Sequence, residues 1–175
     1  AIPFVWENSI WPNLTTGACC WYQYFPTWKD TYGALYNWFA TVDSNGLCPT
    51  GWHVPTNDEW SSLADYTDPT QLLAGSKLRS CRQVNSPLSG DCNTNEHPRW
   101  EEDVTLTITY GTNDYGFSAL PGGWRLSCGD CISMGYTGFW WTSDGFVRVI
   151  QYYDSGFKLE SFNWASGISV RCLRD

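Results

Sequence analysis

The first half of the chain carries two stretches whose apolar residues recur with the spacing of an amphipathic helix. In the earlier stretch the apolar residues fall at i, i+3, i+4 and i+7, namely Tyr32, Leu35, Tyr36 and Phe39. Asp30 precedes them and belongs to a residue type that caps helix N-termini. The pattern predicts a helix from Asp30 to about Val42, with one face buried in the core.

The later stretch opens with a capping box. Thr56 is followed three residues later by Glu59, so the threonine oxygen can accept from an amide of the first turn while the glutamate reaches back to the cap amide. Trp60, Leu63 and Ala64 then provide one apolar face. We therefore predict a helix over residues 57–66.

The rest of the chain has the pattern of strands and loops. Apolar residues and threonines alternate from Val104 to Tyr110, which predicts a half-exposed strand. Turn glycines separate further predicted extended segments at 117–120, 139–141, 146–153, 157–159 and 168–173. The fold class predicted is α+β, with two helices in the N-terminal half packed on an antiparallel sheet.

A long loop is predicted between the helices and the sheet. Residues 67–100 are rich in Pro, Ser, Gly and Asn, and Cys81 and Cys92 flank part of this segment in the manner of a local disulfide staple. Long loops on a rigid scaffold commonly carry binding specificity.

Composition narrows the classes of function. The chain has 175 residues, which predicts a single domain spanning 1–175, and its formal charge of −8 argues against nucleic acid or an anionic membrane as a partner. No window approaches about 18 consecutive apolar residues, so membrane insertion is not expected. Aromatic residues make up 17% of the chain. Such a high share predicts that some rings face a partner instead of the core.

Eight cysteines predict an oxidising, extracellular location. The chain begins at Ala1 without a methionine or a signal peptide, so we expect the mature form of an exported protein.

Several blocks of the sequence also occur in a known family. They are Cys48 to Thr56 with Glu59-Trp60, Tyr32 to Trp38, Tyr115 to Arg125, Phe139-Trp140, Gly167 to Cys172, and Trp6-Glu7-Asn8. In this order they resemble the Fibrobacter succinogenes major paralogous domain, an extracellular bacterial domain of the C-type-lectin-like superfamily. The resemblance implies a C-type-lectin-like fold and a disulfide between Cys48 and Cys172. It also implies a ligand surface within 139–166.

The same resemblance extends, more distantly, to formylglycine-generating-enzyme-like domains. Those relatives act through a reactive cysteine pair near the chain end. Here Cys172 stands alone in that region and is better explained by a bond to Cys48. The enzymatic activity is therefore not carried over.

Three interpretations of the remaining four cysteines stay open. Cys19 and Cys20 are adjacent, and because a ring between neighbours is strained we predict crosswise disulfides with Cys128 and Cys131. A zinc site or a redox pair are the alternatives, although a single Cys-x-x-Cys spacing supports either weakly.

Residues suited to catalysis are few, and we expect no enzyme activity and no cofactor. His53 is interpreted as a hydrogen-bonded structural histidine and His97 as a solvated loop residue. The acidic run Glu101-Glu102-Asp103 could offer a general acid and base, but a solvated strand edge is the simpler interpretation.

Metal binding has equally little support. The sequence lacks the calcium- and sugar-binding motifs of C-type lectins, Glu-Pro-Asn or Gln-Pro-Asp with Trp-Asn-Asp. Asn113 and Asp114 could offer oxygen ligands to a hard cation, but Asn-Asp between glycines is more often a turn. No metal is therefore expected.

Two sets of exposed apolar residues are candidates for contacts with partners. The candidate ligand or interface residues in the last third are Tyr136, Trp141, Tyr152, Tyr153 and Trp164. Residues 1–12 form a candidate N-terminal assembly strand, with its apolar residues at Ile2, Phe4, Val5 and Trp6. This strand can pair within its own domain or add to a neighbouring copy. Asn13-Leu14-Thr15 is a sequon, which makes Asn13 a candidate glycosylation site.

Two functions follow from these features. The first is a non-enzymatic protomer of an extracellular filament or surface layer, which would be a homo-oligomer or polymer. The alternative is a secreted lectin-like module that binds a glycan or a surface protein through its aromatic C-terminal loops. The apolar N-terminal tail favours the first function.

Overall fold

A computed structural model of the chain describes residues 1–102 and 110–175. All but the last residue of the strand predicted for 104–110 lies outside the described residues, as does Asp103 of the acidic run. No helix in the described part is long and apolar enough to cross a bilayer.

The described residues form four α-helices and nine short strands, a mixed α and β architecture. The helices are α1 (Pro26–Tyr32), α2 (Trp38–Thr41), α3 (Asn57–Thr67) and α4 (Ala74–Leu78). The strands are β1 (Cys19–Cys20), β2 (Leu35–Tyr36), β3 (Trp52–His53), β4 (Gly122–Arg125), β5 (Cys131–Met134), β6 (Thr137–Trp141), β7 (Val147–Gln151), β8 (Lys158–Glu160) and β9 (Leu173–Arg174).

The strands pair antiparallel in small sheets. The largest described sheet has the order β6-β7-β8, and the pairs β1-β2, β3-β9 and β4-β5 complete the set. In the β6-β7 hairpin Trp141 pairs with Val147 and Thr137 with Gln151, so its open end lies beyond Thr137 and Gln151.

Helix α3 confirms the prediction made from the capping box. The Thr56 hydroxyl accepts from the Glu59 amide at 3.2 Å, and a Glu59 carboxylate oxygen accepts from the Thr56 amide at 2.8 Å. Trp60 and Ala64 are buried in a core cluster with Trp140 of β6. The helix ends at Thr67, one residue beyond the prediction.

The single helix predicted from Asp30 to Val42 is wrong. Helix α1 ends at Tyr32 because Gly33 takes a φ of +83°, a left-handed conformation that breaks the helix. The next residues, Leu35 and Tyr36, form β2 and pair with β1. Asn37 then caps α2, accepting from the Ala40 amide at 3.2 Å. Long-range backbone pairing therefore overrides the local helical spacing.

Two other predicted elements also differ. The segment 67–100 is not a continuous loop, since it contains α4 and a 3-10 turn at Gly90–Cys92. The strand predicted over 168–173 is reduced to β9, while Ile168 and Ser169 form isolated bridges with Tyr36 and Trp140. These bridges tie the end of the chain to the hairpin and to β2.

The buried aromatic rings fall into three core clusters. One lies between α3, α4 and the hairpin around Trp60, Trp100 and Trp140. A second lies beneath the N-terminal segment around Trp11 and Tyr22. The third packs around Phe139, Trp141 and Ile168.

The N-terminal segment pairs within its own chain. Phe4 bridges Cys19 in parallel, and the Val5 amide donates to the Cys19 carbonyl oxygen at 2.9 Å. Of the two arrangements that the sequence left open for residues 1–12, this is the intramolecular one.

Two disulfides link the described residues, and both match predicted pairs. Cys48 is bonded to Cys172 across 124 positions, and Cys81 to Cys92 across 11.

The crosswise disulfides predicted for the other four cysteines are not formed, and all four are free thiols. Cys19 and Cys20 are successive residues of β1, and successive side chains of a strand point to opposite faces. Cys20 is buried in the second core cluster, and this burial raises its pKa to about 12. Cys128 is exposed while Cys131 is half-buried. Cys131 packs against the same cluster as Cys20, but no bond joins them.

Candidate ligand-binding site

Three tyrosines stand side by side at the open end of the β6-β7 hairpin, and we call Tyr136, Tyr152 and Tyr153 the tyrosine row. Tyr136 comes directly before β6 and Tyr152 directly after β7, so the antiparallel register places them opposite each other. The Tyr152 amide donates to the Tyr136 carbonyl oxygen at 2.8 Å. Their ring centroids lie 5.2 Å apart, and the Tyr152 and Tyr153 centroids are also 5.2 Å apart, both edge to face.

A buried arginine holds the backbone of this row. Arg79 is fully buried, and its Nη1 donates to the carbonyl oxygens of Gln151 at 3.2 Å and Tyr152 at 2.7 Å. Tyr136 is 45% and Tyr153 42% exposed, whereas Tyr152 between them is half-buried and packs against the core cluster around Trp60. The row is therefore a rigidly supported aromatic surface in contact with solvent.

A groove of about 720 Å³ lies between α3, the turn that carries Asp154, and β8. We call it the Arg148 groove, and the polar residues that line it include Asn57, Ser61, Arg148, Asp154, Lys158 and Glu160. Lys158 joins the two features, because its Nζ lies 6.0 Å from the centre of the Tyr153 ring and 2.6 Å from a carboxylate oxygen of Asp154.

Close packing of α4 shapes this side of the groove. The Ser76 amide donates to the Ser155 carbonyl oxygen at 3.1 Å. A Cβ at Gly75 would collide with the carbonyl oxygen of Gly156. Only a glycine therefore allows α4 to approach the turn that carries Asp154 and leads into Lys158.

Arg148 is an unusual residue for the middle of an apolar strand. It is 4% exposed, and its Nη2 donates to the Asn57 carbonyl oxygen, the Asn57 side-chain oxygen and the Ser61 hydroxyl at 3.1, 2.7 and 2.5 Å. Its Nε is buried and has no hydrogen-bond partner in the part of the chain that the structure describes. Burial lowers the pKa of Arg148.

The ion pair at the mouth of the groove is held in its charged form. Hydrogen bonding to Asp154 raises the pKa of Lys158. The pKa of Asp154 is lowered: burial acts to raise it, but the hydrogen bonds from Lys158 and from the Gly156 amide outweigh that effect. Both groups are charged at neutral pH.

Trp141 and Trp164, two of the candidate ligand residues, lie elsewhere. Trp141 is fully buried and its indole nitrogen donates to the Tyr36 carbonyl oxygen at 2.8 Å, so its assignment to a ligand surface is wrong. It is interior because all of β6 is covered on both faces. Trp164 is 48% exposed but packs on Trp38, with ring centroids 4.2 Å apart.

Trp164 lines a separate groove of about 430 Å³ with Pro12, Leu14 and Phe162. The sequon residue Asn13 is exposed beside this groove. The predicted ligand residues are therefore divided between two surfaces and the core.

Both histidines are hydrogen-bonded. His53 lies between Glu59 at 2.9 Å and Asp175 at 2.6 Å, and the hydrogen bonds to Asp175 and Glu59 raise its pKa. The interpretation of His97 as a solvated loop residue is wrong. Its ring packs against Trp28, bonds to the Tyr32 hydroxyl, and has a pKa lowered chiefly by burial.

The residues considered for acid–base catalysis and for cation binding make local contacts instead. Glu101 pairs with Arg99 at 2.6 Å, and Glu102 accepts from the Asn85 side chain at 2.7 Å. Asn113 has a φ of +53° and accepts from the Ser118 amide at 2.7 Å, as a turn residue does. Within 1–102 and 110–175 no group of three His, Cys, Asp or Glu side chains is placed to hold a metal ion.

Sequence reasoning missed the Arg148 groove. One signal was available: Arg148 interrupts the apolar run Val147 to Ile150, and a charged residue in such a run needs a compensating partner. Its hydrogen-bond partners, Asn57 and Ser61, come from α3, which no local pattern connects to β7.

A family model described as the Fibrobacter succinogenes major domain matches residues 6–174. The chain belongs to that family. Neither a search of curated proteins nor a search of solved structures finds a match to this member of the family. The tyrosine row and the Arg148 groove both lie inside the matched residues, so they are features of the Fibrobacter succinogenes major domain in this chain.

Proposed function

We propose that this protein is an extracellular binding module that holds a glycan on the tyrosine row. The observation that carries the proposal is the row itself, three neighbouring phenol rings on a backbone anchored by buried Arg79. The apolar C–H faces of a sugar ring pack on aromatic faces, while phenol hydroxyls bond to sugar hydroxyls. Tyrosine also loses little conformational entropy on binding.

An extracellular location fits the disulfide content of the chain. Disulfides persist in oxidising compartments, and here one of them closes a loop of 124 positions. In this setting Asn13, which is exposed within its sequon, is a glycosylation site. The molecule acts by binding and not by catalysis.

The fold we propose for this module is C-type-lectin-like. The sequence blocks shared with the family support it, and so does the closure of the chain, since β9 pairs with β3 and the Cys48–Cys172 bond lies beside this pair. A strand order in which β9 does not pair with β3 would contradict this assignment.

The proposal is tested by screening the disulfide-intact protein on an array of plant, bacterial and fungal glycans. Loss of the Tyr152 or Tyr153 ring should weaken binding at least about fivefold, roughly 1 kcal/mol. The matched control is Tyr66→Ala, since Tyr66 is 75% exposed and belongs to neither the row nor the groove. The proposal would be contradicted if the protein bound no glycan on the array. It would also be contradicted if a glycan bound equally to Tyr152→Ala and to the wild type.

A second candidate function is self-assembly into a filament or surface layer, which is favoured by the exposed rings of the N-terminal segment. Phe4 is 41% and Trp6 57% exposed, although the backbone of the segment already pairs with β1. Copies would therefore associate through ring contacts and not through a donated strand. Electron microscopy and light scattering should show polymers that Trp6→Ala abolishes and Trp52→Ala, a similarly exposed control, leaves intact. Monomers at high concentration would contradict assembly.

A further inference from the structure

We infer that the protein has a ligand site separate from the tyrosine row, and that this site binds a small aromatic carboxylate. It is a pocket of about 210 Å³ between α3 and the last residues of the chain, and we call it the Arg171 pocket. The inference goes beyond the proposed function, because no residue of the tyrosine row lines this pocket.

The walls of the Arg171 pocket are largely apolar and aromatic. Trp60 and Leu63 come from α3, Phe117 from the segment before β4, and Leu173 from β9. The ring centroids of Trp60 and Phe117 lie 6.0 Å apart, and the two rings meet edge to face. Since an apolar protein cavity of roughly 150 Å³ is enough to bind benzene, this pocket has room for one aromatic ring and a short arm.

A guanidinium lines the pocket beside these rings. The Arg171 Nη1 donates to the Phe117 carbonyl oxygen at 2.5 Å, and the guanidinium carbon lies 4.1 Å from the centre of the Phe117 ring. The Nε and Nη2 of Arg171 have no hydrogen-bond partner among the described residues, yet neither atom is among the unpaired polar atoms buried from solvent. Both donors are therefore available to a ligand.

The charge of Arg171 is also available. No carboxylate within 1–102 and 110–175 forms an ion pair with it. Burial lowers the pKa of Arg171, as expected for a poorly hydrated charge. In such surroundings an opposite charge is attracted more strongly than in water. A carboxylate suits this position, since its two oxygens match two parallel N–H groups of a guanidinium.

The acidic residue of the pocket does not offer an equivalent site for a cation. Glu59 lines the pocket, but one carboxylate oxygen lies 2.9 Å from Nε2 of His53 and the other accepts from the Thr56 amide at 2.8 Å. These bonds compensate its charge and hold the carboxylate against the N-terminus of α3. The ionic group that remains for a ligand is Arg171, so the pocket favours an anion over a cation.

The test compares small aromatic acids with their neutral amides. Isothermal titration of the disulfide-intact protein uses benzoate and phenylacetate, each against benzamide or phenylacetamide. Each acid should bind at least about tenfold more tightly than its amide, because hydrogen bonds between charged groups are stronger than neutral ones. Phenylacetate should also bind at least about tenfold more tightly than acetate, which lacks the apolar ring. Nuclear Overhauser contacts from the ligand ring to the Leu63 and Leu173 methyl groups should place it in the pocket.

Variants of the pocket have matched controls. Arg171→Met should abolish the preference for acid over amide, whereas Arg174→Met, at an exposed position outside the pocket, should preserve it. Leu173→Ala should weaken acid and amide alike at least about threefold, and Leu72→Ala, another exposed leucine, should weaken neither. Thermal unfolding checks that each variant folds. Because Leu173 is 41% exposed, its variant remains informative if Arg171→Met fails to fold.

The inference is overturned by any of three results. In the first, neither acid binds at millimolar concentration. In the second, the amides bind as tightly as the acids, which would make the pocket a site for neutral rings. In the third, binding survives both Arg171→Met and Leu173→Ala, or is lost in Tyr152→Ala, which would place the ligand elsewhere. None of these results bears on glycan binding by the tyrosine row, which the array decides separately.

Discussion

The guanidinium of Arg125 donates to the carbonyl oxygen of Val5 at 2.9 Å, across 120 positions of sequence. Arg125 is fully buried, bonds also to the Trp6 carbonyl oxygen and the Asn8 side chain, and lies 4.0 Å from the centre of the Trp11 ring. One interior side chain therefore holds the N-terminal segment on its own domain.

Replacing this arginine should release the N-terminal segment. Arg125→Met removes the charged donor of four hydrogen bonds, to the carbonyl oxygens of Val5, Trp6 and Gly129 and to the Asn8 side chain, so we expect a loss of more than about 3 kcal/mol in the free energy of unfolding. Urea denaturation measures the loss, and limited proteolysis should cut within residues 1–8. Arg174→Met, at an exposed position, is the control. An uncleaved segment in Arg125→Met would show that the strand pairing with Cys19 suffices.

Stability should depend on pH through His53. Its folded pKa is raised above the ordinary value of 6.5 by Asp175 and Glu59. The protonated histidine therefore contributes stability that is fully present below pH 6.5 and is lost as pH rises through the higher folded pKa. Urea midpoints from pH 5 to 9 should show this loss in wild type and not in His53→Gln. Identical profiles for the two proteins would contradict the linkage.

The two disulfides should contribute unequally. In the chain-entropy model the bond that closes 124 positions contributes about 5 kcal/mol and the bond that closes 11 about 3 kcal/mol. Cys48→Ser/Cys172→Ser should therefore unfold at lower urea than Cys81→Ser/Cys92→Ser. Each double variant serves as the control for the other. The reverse order would indicate that strain or residual structure outweighs loop entropy.

Trp141 should matter for stability and not for ligand binding. Trp141→Phe removes buried volume and leaves the Tyr36 carbonyl oxygen without its donor, so we expect a loss of about 2–3 kcal/mol. Trp52→Phe, at a position 44% exposed, should cost little. Calorimetry measures both. A Trp141→Phe protein of normal stability but weakened glycan binding would return this residue to the ligand surface.

Where the sequence predicted correctly, the signal was local and chemically specific. The Thr56–Glu59 capping box requires only four consecutive residues, and it correctly places the start of α3. The spacing around Cys81 and Cys92 predicts a staple for the same reason. The pairing of Cys48 with Cys172 came from family resemblance, because no local rule connects residues so far apart.

The wrong predictions share one cause: contacts with residues distant in sequence override the structure that the local pattern favours. Leu35 and Tyr36 have helical spacing, but their backbone groups pair with β1 and with Ile168. Trp141 was predicted to face a ligand, but it is fully buried in the core cluster around Phe139 and Ile168. A periodic pattern predicts which residues are buried, but not which segments of the chain bury them.

By itself, the sequence determined the mixed α and β class, the family and the α3 cap, and it predicted the tyrosines that we propose meet a ligand. Only the tertiary structure decided that Tyr136 and Tyr152 stand opposite each other while Trp141 is interior. It also decided that Arg148 is buried against Asn57 and Ser61 of α3. The reason is physical: caps and turns depend on neighbours a few residues away, whereas strand register and the burial of a charge depend on segments brought together only by the folded chain.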